Sequence, residues 1–194
     1  LRLVSRFAIQ TDARRLGPLT LSMLQGADGR QRKDLRILLD FLAETAQPDL
    51  VNLSNMLLSG IAPAIRERLR VPIVATLQGA DGFIAQMPEP FREQCLDQLR
   101  RNAAAVDAFI SPSAAYADAV APVLGIERER ITVVPTGLEL DRYPAGRPRS
   151  RSEFTIAYVS RVTPEKGLDL LVDACGILLN RQGRDIRLLA AGQL

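Results

Sequence analysis

The sequence predicts an α/β fold with parallel sheets, and three observations carry that prediction. Strand-like and helix-like patterns alternate through the middle of the chain, with turn residues between them. The segment from Val71 to Leu77 is a nearly continuous apolar run, as suits a parallel strand covered on both faces. Strand–loop–helix units repeated at this length join by right-handed crossovers into an open sheet.

Each element follows from its own pattern. Arg2 to Ile9 reads as a strand and Leu16 to Leu24 as a helix. Leu35, Leu38, Leu39, Leu42, Ala43 and Ala46 recur at helical spacing and predict an amphipathic helix from Arg32 to Gln47, stopped by Pro48. A short strand follows at Asp49 to Leu53. Leu57, Leu58, Ile61, Ala62, Ile65 and Leu69 form the next helical stripe, where Pro63 must kink the helix or shift its start. After the apolar strand at 71–77, Gln78 to Gly82 reads as a turn. Pro88 and Pro90 open a helix whose face is Phe91, Cys95 and Leu99. Ala108 to Ile110 is a strand. Ser113 is the expected N-cap of a helix from Ala114 to Leu124, and Gly125 its terminator. Ile131 to Val134 is another strand. Proline, glycine, arginine and serine from Tyr143 to Ser152 make a linker. Beyond it, Phe154 to Val159 and Asp185 to Ala191 are strands around a helical stripe of Leu168, Leu171, Val172, Cys175, Leu178 and Leu179. One such β-α-β unit is too small to close a core of its own, so the second domain is expected to be incomplete.

Composition narrows the chemistry. The 194 residues carry formal net charge +3 and contain no histidine, no tryptophan and two cysteines. Histidine-held zinc or haem and any histidine-dependent triad within this chain are thereby excluded. Cys95 and Cys175 lie far apart, form no metal or redox pair, and read as fillers of apolar helix faces. Arg14-Arg15, the cluster Arg30 to Lys33 and the cluster Arg147 to Arg151 each suit a solvated face. With no basic stripe interleaved with aromatics, nucleic acid is not an expected partner. No apolar run reaches the ~18 residues of a membrane span, and no signal peptide is visible. A start at Leu1 and an end just after an apolar strand lead us to expect a fragment.

Two constructions carry chemistry. Between a strand and a helix, Val159 to Gly167 offers Thr163 as a cap and Pro164 at the first helical position, an arrangement that attracts anions. Arg161 adds a planar fork for phosphate oxygens and Lys166 a mobile point charge, so a pyrophosphate site is one reading. A capped surface helix with Lys166 paired to a carboxylate is the other. At the end of the 71–77 strand, Gln78 can donate and accept, Asp81 can take a sugar hydroxyl, and Gly79 and Gly82 admit a ligand close to the backbone. An ordinary turn with Asp81 as its local hydrogen bonder reads equally well. One strand later, Gly137 is a candidate for positive φ and Glu139 faces a cleft or solvent. There is neither a G-x-G-x-x-G after a strand nor a Walker loop.

Three segments, Thr76 to Phe83, Ile131 to Tyr143 and Ala157 to Gly167, together resemble glycosyltransferase family 4, and the resemblance covers roughly residues 35–194. It implies the GT-B architecture, a pair of Rossmann-like domains with parallel sheets, here truncated at both ends. Residues 1–143 would be most of the acceptor-side domain, 144–152 the linker, and 153–194 the first β-α-β unit of the donor domain. It further implies retaining transfer from a nucleoside-diphosphate sugar, without cofactor or metal. Arg161 and Lys166 would bind the diphosphate and stabilise the leaving group. Gln78 stands where many members have histidine, so its role would be hydrogen bonding. Gly137 and Glu139 would lie on the donor side, Gly79 and Asp81 on the acceptor side. Thr136 replaces the common asparagine and Ser160 the common glycine. The family's paired glutamates would lie beyond Leu194, leaving this piece inactive alone. The implied acceptor is a glycan, lipid-linked or small molecule, in the cytoplasm, with peripheral contact at the inner face of the membrane. A non-catalytic sugar- or nucleotide-binding module and a GT-B nucleotide-sugar epimerase are the alternatives.

Overall fold

The structure, a computed structural model, describes residues 13–142, 154–183 and 185–192. The expected strand at Arg2 to Ile9 and the linker from Tyr143 to Ser152 lie outside the described residues. The chain divides into two compact units after Leu138.

The first unit is built on four parallel strands in the order β1 (Val51–Leu53), β2 (Ile73–Thr76), β3 (Ala108–Ser111), β4 (Ile131–Val133). Their registers pair Val51 with Ile73, Val74 with Ala108 and Phe109 with Ile131. Ile73, Ala75 and Phe109 are fully buried. Each strand is followed by helical structure, so the α/β class with parallel sheets is what the fold shows.

The helices keep the predicted order with three changes. α1 is Ala13–Leu24, and α2 runs Arg32–Phe41. The 32–47 helix widens into a π turn, Leu42–Ala46, which ends on Gln47 in the left-handed region just before Pro48. The 57–69 stripe divides into a 3-10 helix, Met56–Ile61, and α3, Ala62–Leu69. Pro63 sits in the first turn of α3, where its missing N–H has no intrahelical partner to lose. The third change is at Gln78 to Gly82, and it is not a simple turn. The helix α4, Ala80–Ala85, begins inside it. Asp81 is favoured in a first turn by the helix dipole, and burial of Ile84 holds the segment down. α5, Phe91–Ala103, and α6, Ala114–Leu124, follow expectation. Ser113 caps α6 through its Oγ, which accepts the Tyr116 N–H at 3.2 Å, and Gly125 closes it at φ +63°.

Two polar devices tie the unit together. Asn102 of α5 is buried and donates to the Leu24 carbonyl at 2.8 Å and to Ser59 Oγ at 3.2 Å, joining α1 and the 3-10 helix. At the N-terminal edge of the sheet Asp107 accepts the Ile73 N–H at 2.8 Å and pairs with Arg66 at 2.6 Å. That backbone hydrogen bond first, then Arg66, holds the Asp107 carboxyl below its ordinary range. Cys95, in the core, has its thiol pushed up to about 11 by burial.

The second unit pairs β5 (Phe154–Val159) in parallel with β6 (Ile186–Ala191), and α7 (Leu168–Gln182) connects them. Cys175 is buried in it. Phe154, Val159 and Leu170 are exposed by more than two thirds, so much of the apolar surface of this unit is uncovered.

Candidate functional site

Because all four strands of the first sheet are parallel, the segments that leave them at the C-terminal end share one edge, where open α/β sheets receive ligands. Asn55 follows β1, Gln78 and Gly79 follow β2, Ser113 and Tyr116 follow β3, and Thr136 and Gly137 follow β4.

The turn after β2 is fixed by its main-chain atoms. The Gln78 carbonyl accepts from Asn55 Nδ2 at 3.0 Å, and Asn55 is itself held by accepting the Leu57 N–H at 2.9 Å through Oδ1. The Gly79 N–H donates to the Tyr116 hydroxyl at 2.7 Å. The Tyr116 hydroxyl in turn donates to Asp81 Oδ1 at 2.5 Å. Burial, and then the hydrogen bond to Asp81, push the Tyr116 phenol above its usual range, so it keeps its proton. Gly79 has φ +69°, a conformation that glycine adopts without the penalty of a side chain. A Cβ placed at Gly79 or Gly82 meets nothing within 4 Å, so the space over this turn is open. The Gln78 side chain is exposed and Asp81 half-buried. No protein hydrogen bond reaches Asp81 Oδ2 among the described residues.

Gly137 makes no hydrogen bond to this cluster among the described residues. Gly137 lies outside the left-handed region, contrary to the positive φ expected of it. Glu139 is exposed and pairs with Arg142 at 2.6 Å on the 3-10 turn Leu140–Arg142.

In the second unit the segment between β5 and α7 departs from expectation in one respect. Thr163 occupies an N-cap position and Pro164 the first helical position, but of a separate 3-10 turn, Pro164–Lys166, and not of the long helix. Gly167 at φ +66° breaks the two apart, and α7 starts at Leu168. The Thr163 hydroxyl makes no cap hydrogen bond; it is enclosed and unpartnered among the described residues. Lys166 N donates to the Thr163 carbonyl at 2.9 Å, closing the turn. The Arg161 carbonyl accepts from Tyr158 at 2.9 Å, which fixes the backbone where the strand ends. Gly192, after β6, backs onto the Ser160 carbonyl so closely that a Cβ would fall 1.8 Å from that oxygen. Arg161 and Lys166 are exposed cations, and neither side chain has an ion-pair partner among the described residues. A cavity of about 550 Å³ opens at the start of α7, lined by Val162, Thr163, Pro164, Leu168, Asp169, Val172 and Asp173.

The model of Glycosyltransferase Family 4 matches residues 12–142, a range that contains the four strands of the first sheet and this edge. The chain belongs to glycosyltransferase family 4. Its family relatives include a D-inositol 3-phosphate glycosyltransferase of Nocardia farcinica, 32% identical over 74% of this chain and 35% of that protein. The uncharacterized glycosyltransferase YqgM of Bacillus subtilis is 26% identical over 78% of this chain and 42% of its own length. A D-inositol 3-phosphate glycosyltransferase of Gordonia bronchialis is 27% identical over 77% of this chain and 37% of that protein. The chain thus spans between about a third and two fifths of the glycosyltransferases it matches. Among the described residues no helix is long and apolar enough to cross a membrane.

Asn55 and Tyr116 are the two edge residues that sequence reasoning missed. An asparagine just after a strand and just before a helical stripe was a readable cap signal. Tyr116 was not readable, because its partners lie 35 and 37 residues away and meet it only once β2 and β3 are neighbours.

Proposed function

We propose that the full-length protein transfers a glycosyl group from a nucleoside-diphosphate sugar to an acceptor hydroxyl with retention at the anomeric carbon. The observation that carries this reading is the open, main-chain-braced turn after β2, at the ligand-receiving edge of a glycosyltransferase family 4 sheet. In this reading Gln78 reaches the transferred sugar by hydrogen bonding, since its amide has no proton to relay near neutral pH. Gly79 leaves the backbone approachable, and Asp81 takes a hydroxyl of the acceptor.

The breaking bond is the one between the anomeric carbon and the diphosphate oxygen, and negative charge grows on that oxygen. Arg161 and Lys166, exposed and without an ion-pair partner among the described residues, supply two cations for it. That arrangement calls for no metal. Gly137 and Glu139 are assigned to the donor side. The acceptor is a glycan, a lipid-linked or a small molecule; an inositol phosphate acceptor is suggested only by the names of three relatives.

The test is a radiolabelled panel of UDP- and GDP-sugars with the full-length protein and its Arg161→Ala and Lys166→Ala variants. Expected are transfer by the parent and a rise in donor KM or a fall in kcat of at least ~10-fold in each variant, the loss of about 1.4 kcal/mol of stabilisation. Donor affinity and turnover at parental levels in both variants would sink the diphosphate assignment.

A further inference from the structure

We propose that Tyr116 is a positioning residue of the acceptor side, holding Asp81 so that its second carboxylate oxygen receives a neutral hydroxyl of the bound acceptor. The inference rests on the transferase reading and adds to it a residue and a preference for ligand chemistry.

Tyr116 is well placed to set the direction of another group. Its own main chain is anchored in the first turn of α6, where Ser113 Oγ accepts its N–H at 3.2 Å. Its hydroxyl spends its proton on Asp81 Oδ1 and a lone pair on the Gly79 N–H. Two segments that meet only through the β2–β3 pairing are therefore pinned to one oxygen atom. A half-buried phenol with two partners on different segments has little rotational freedom left, and neither has the carboxylate it grips.

Oδ1 is thereby engaged, and Oδ2 takes no protein donor among the described residues. The Gln78 carbonyl and the Gly79 N–H are likewise engaged, by Asn55 and Tyr116. What the turn offers to a ligand is then an accepting carboxylate oxygen and the Gln78 amide, beneath space that is open above Gly79 and Gly82. The complement of an accepting oxygen is a donor. A sugar or polyol hydroxyl fits it, whereas a phosphate set against the same oxygen meets like charge.

The experiment uses the 15N-labelled full-length protein titrated with myo-inositol as the neutral polyol probe, and separately with UDP and GDP. Expected is a myo-inositol shift of the Gly79 amide in the parent, with binding about 10-fold weaker in Tyr116→Phe and in Asp81→Asn. The double variant should bind no more weakly than Asp81→Asn alone, because the two residues act through one oxygen. Nucleotide binding should be unchanged in all three. Binding of the polyol by Tyr116→Phe at parental strength, or no response of Gly79 to the polyol, would overturn the proposal. So would loss of nucleotide binding in Tyr116→Phe together with the polyol, since that marks general damage. Nucleotide binding that survives while the polyol fails leaves the donor half of the transferase reading standing; the converse removes that half alone.

Discussion

Tyr116 and Asp81 meet at 2.5 Å across 35 residues of sequence, phenol to carboxylate, at the C-terminal edge of the first sheet. The same phenol oxygen accepts the Gly79 N–H, so the contact joins the start of α6 to the turn that follows β2. Removing the hydroxyl in Tyr116→Phe should leave the fold intact and cost about 1–2 kcal/mol, since an N–H and a carboxylate oxygen each lose a partner but both can turn to water. A urea midpoint lowered with an unchanged m value is the expected result.

Gly79→Ala should be destabilising although nothing crowds the site. The side chain has room, but φ of +69° is disfavoured for alanine by about 1–2 kcal/mol. Gly82→Ala, equally uncrowded and outside the left-handed region, is the matched control and should be neutral or stabilising. Thermal midpoints of the two variants decide it; equal losses would show that space and not φ is limiting.

Asn102→Leu should be among the most damaging single changes in the first unit. The side chain is buried, and its loss strands the Leu24 carbonyl and Ser59 Oγ, at about 1–3 kcal/mol for a buried group left unsatisfied. Equilibrium denaturation measures it. Because α1, the 3-10 helix and α5 share this residue, amide exchange should quicken in all three.

Acid should loosen the N-terminal edge of the sheet through Asp107. Its folded-state pKa lies below the unfolded value of ~3.9, so the stabilisation is complete above that pH and disappears as pH falls through the lower folded value. Asp107→Asn should therefore be less stable than the parent at pH 6, with the gap closing below about pH 4. The group is well exposed, so the effect is screened and small. A gap independent of pH would assign it to packing.

The thiol of Cys95 should resist alkylation at pH 8 in the folded protein. It is fully buried and its pKa lies near 11, so both access and thiolate are lacking. Iodoacetamide labelling with and without urea should show Cys95 reacting only when unfolded.

Much of the fold was legible because it follows from local patterns. The 71–77 run, the Ser113 cap with its Gly125 stop and the 154–159 strand each contain their own reason within a few residues. What escaped depended on either a competing local preference or a distant partner. Asp81 and the burial of Ile84 pull the end of the 78–82 turn into a helix, a preference that the two glycines concealed. Gly167 looked like part of a helix start, yet its left-handed φ splits the 3-10 turn from α7. Gln78, Gly79 and Asp81 were singled out from their position after a strand, and they are neighbours at the edge. Asn55 and Tyr116, which hold them, acquire their roles only when separate strands come together.

The bracing of the 78–79 turn has a consequence for how this site changes over time. Asn55 grips the carbonyl of residue 78 and Tyr116 the amide of Gly79, and every residue type at position 78 carries that carbonyl. The side chain at position 78 is therefore free to vary while the turn keeps its shape, so chemistry and architecture are inherited separately here. A chain with no histidine can occupy the same scaffold as one that has it, and Gln78→His should exchange the functional group while leaving the fold as stable as before.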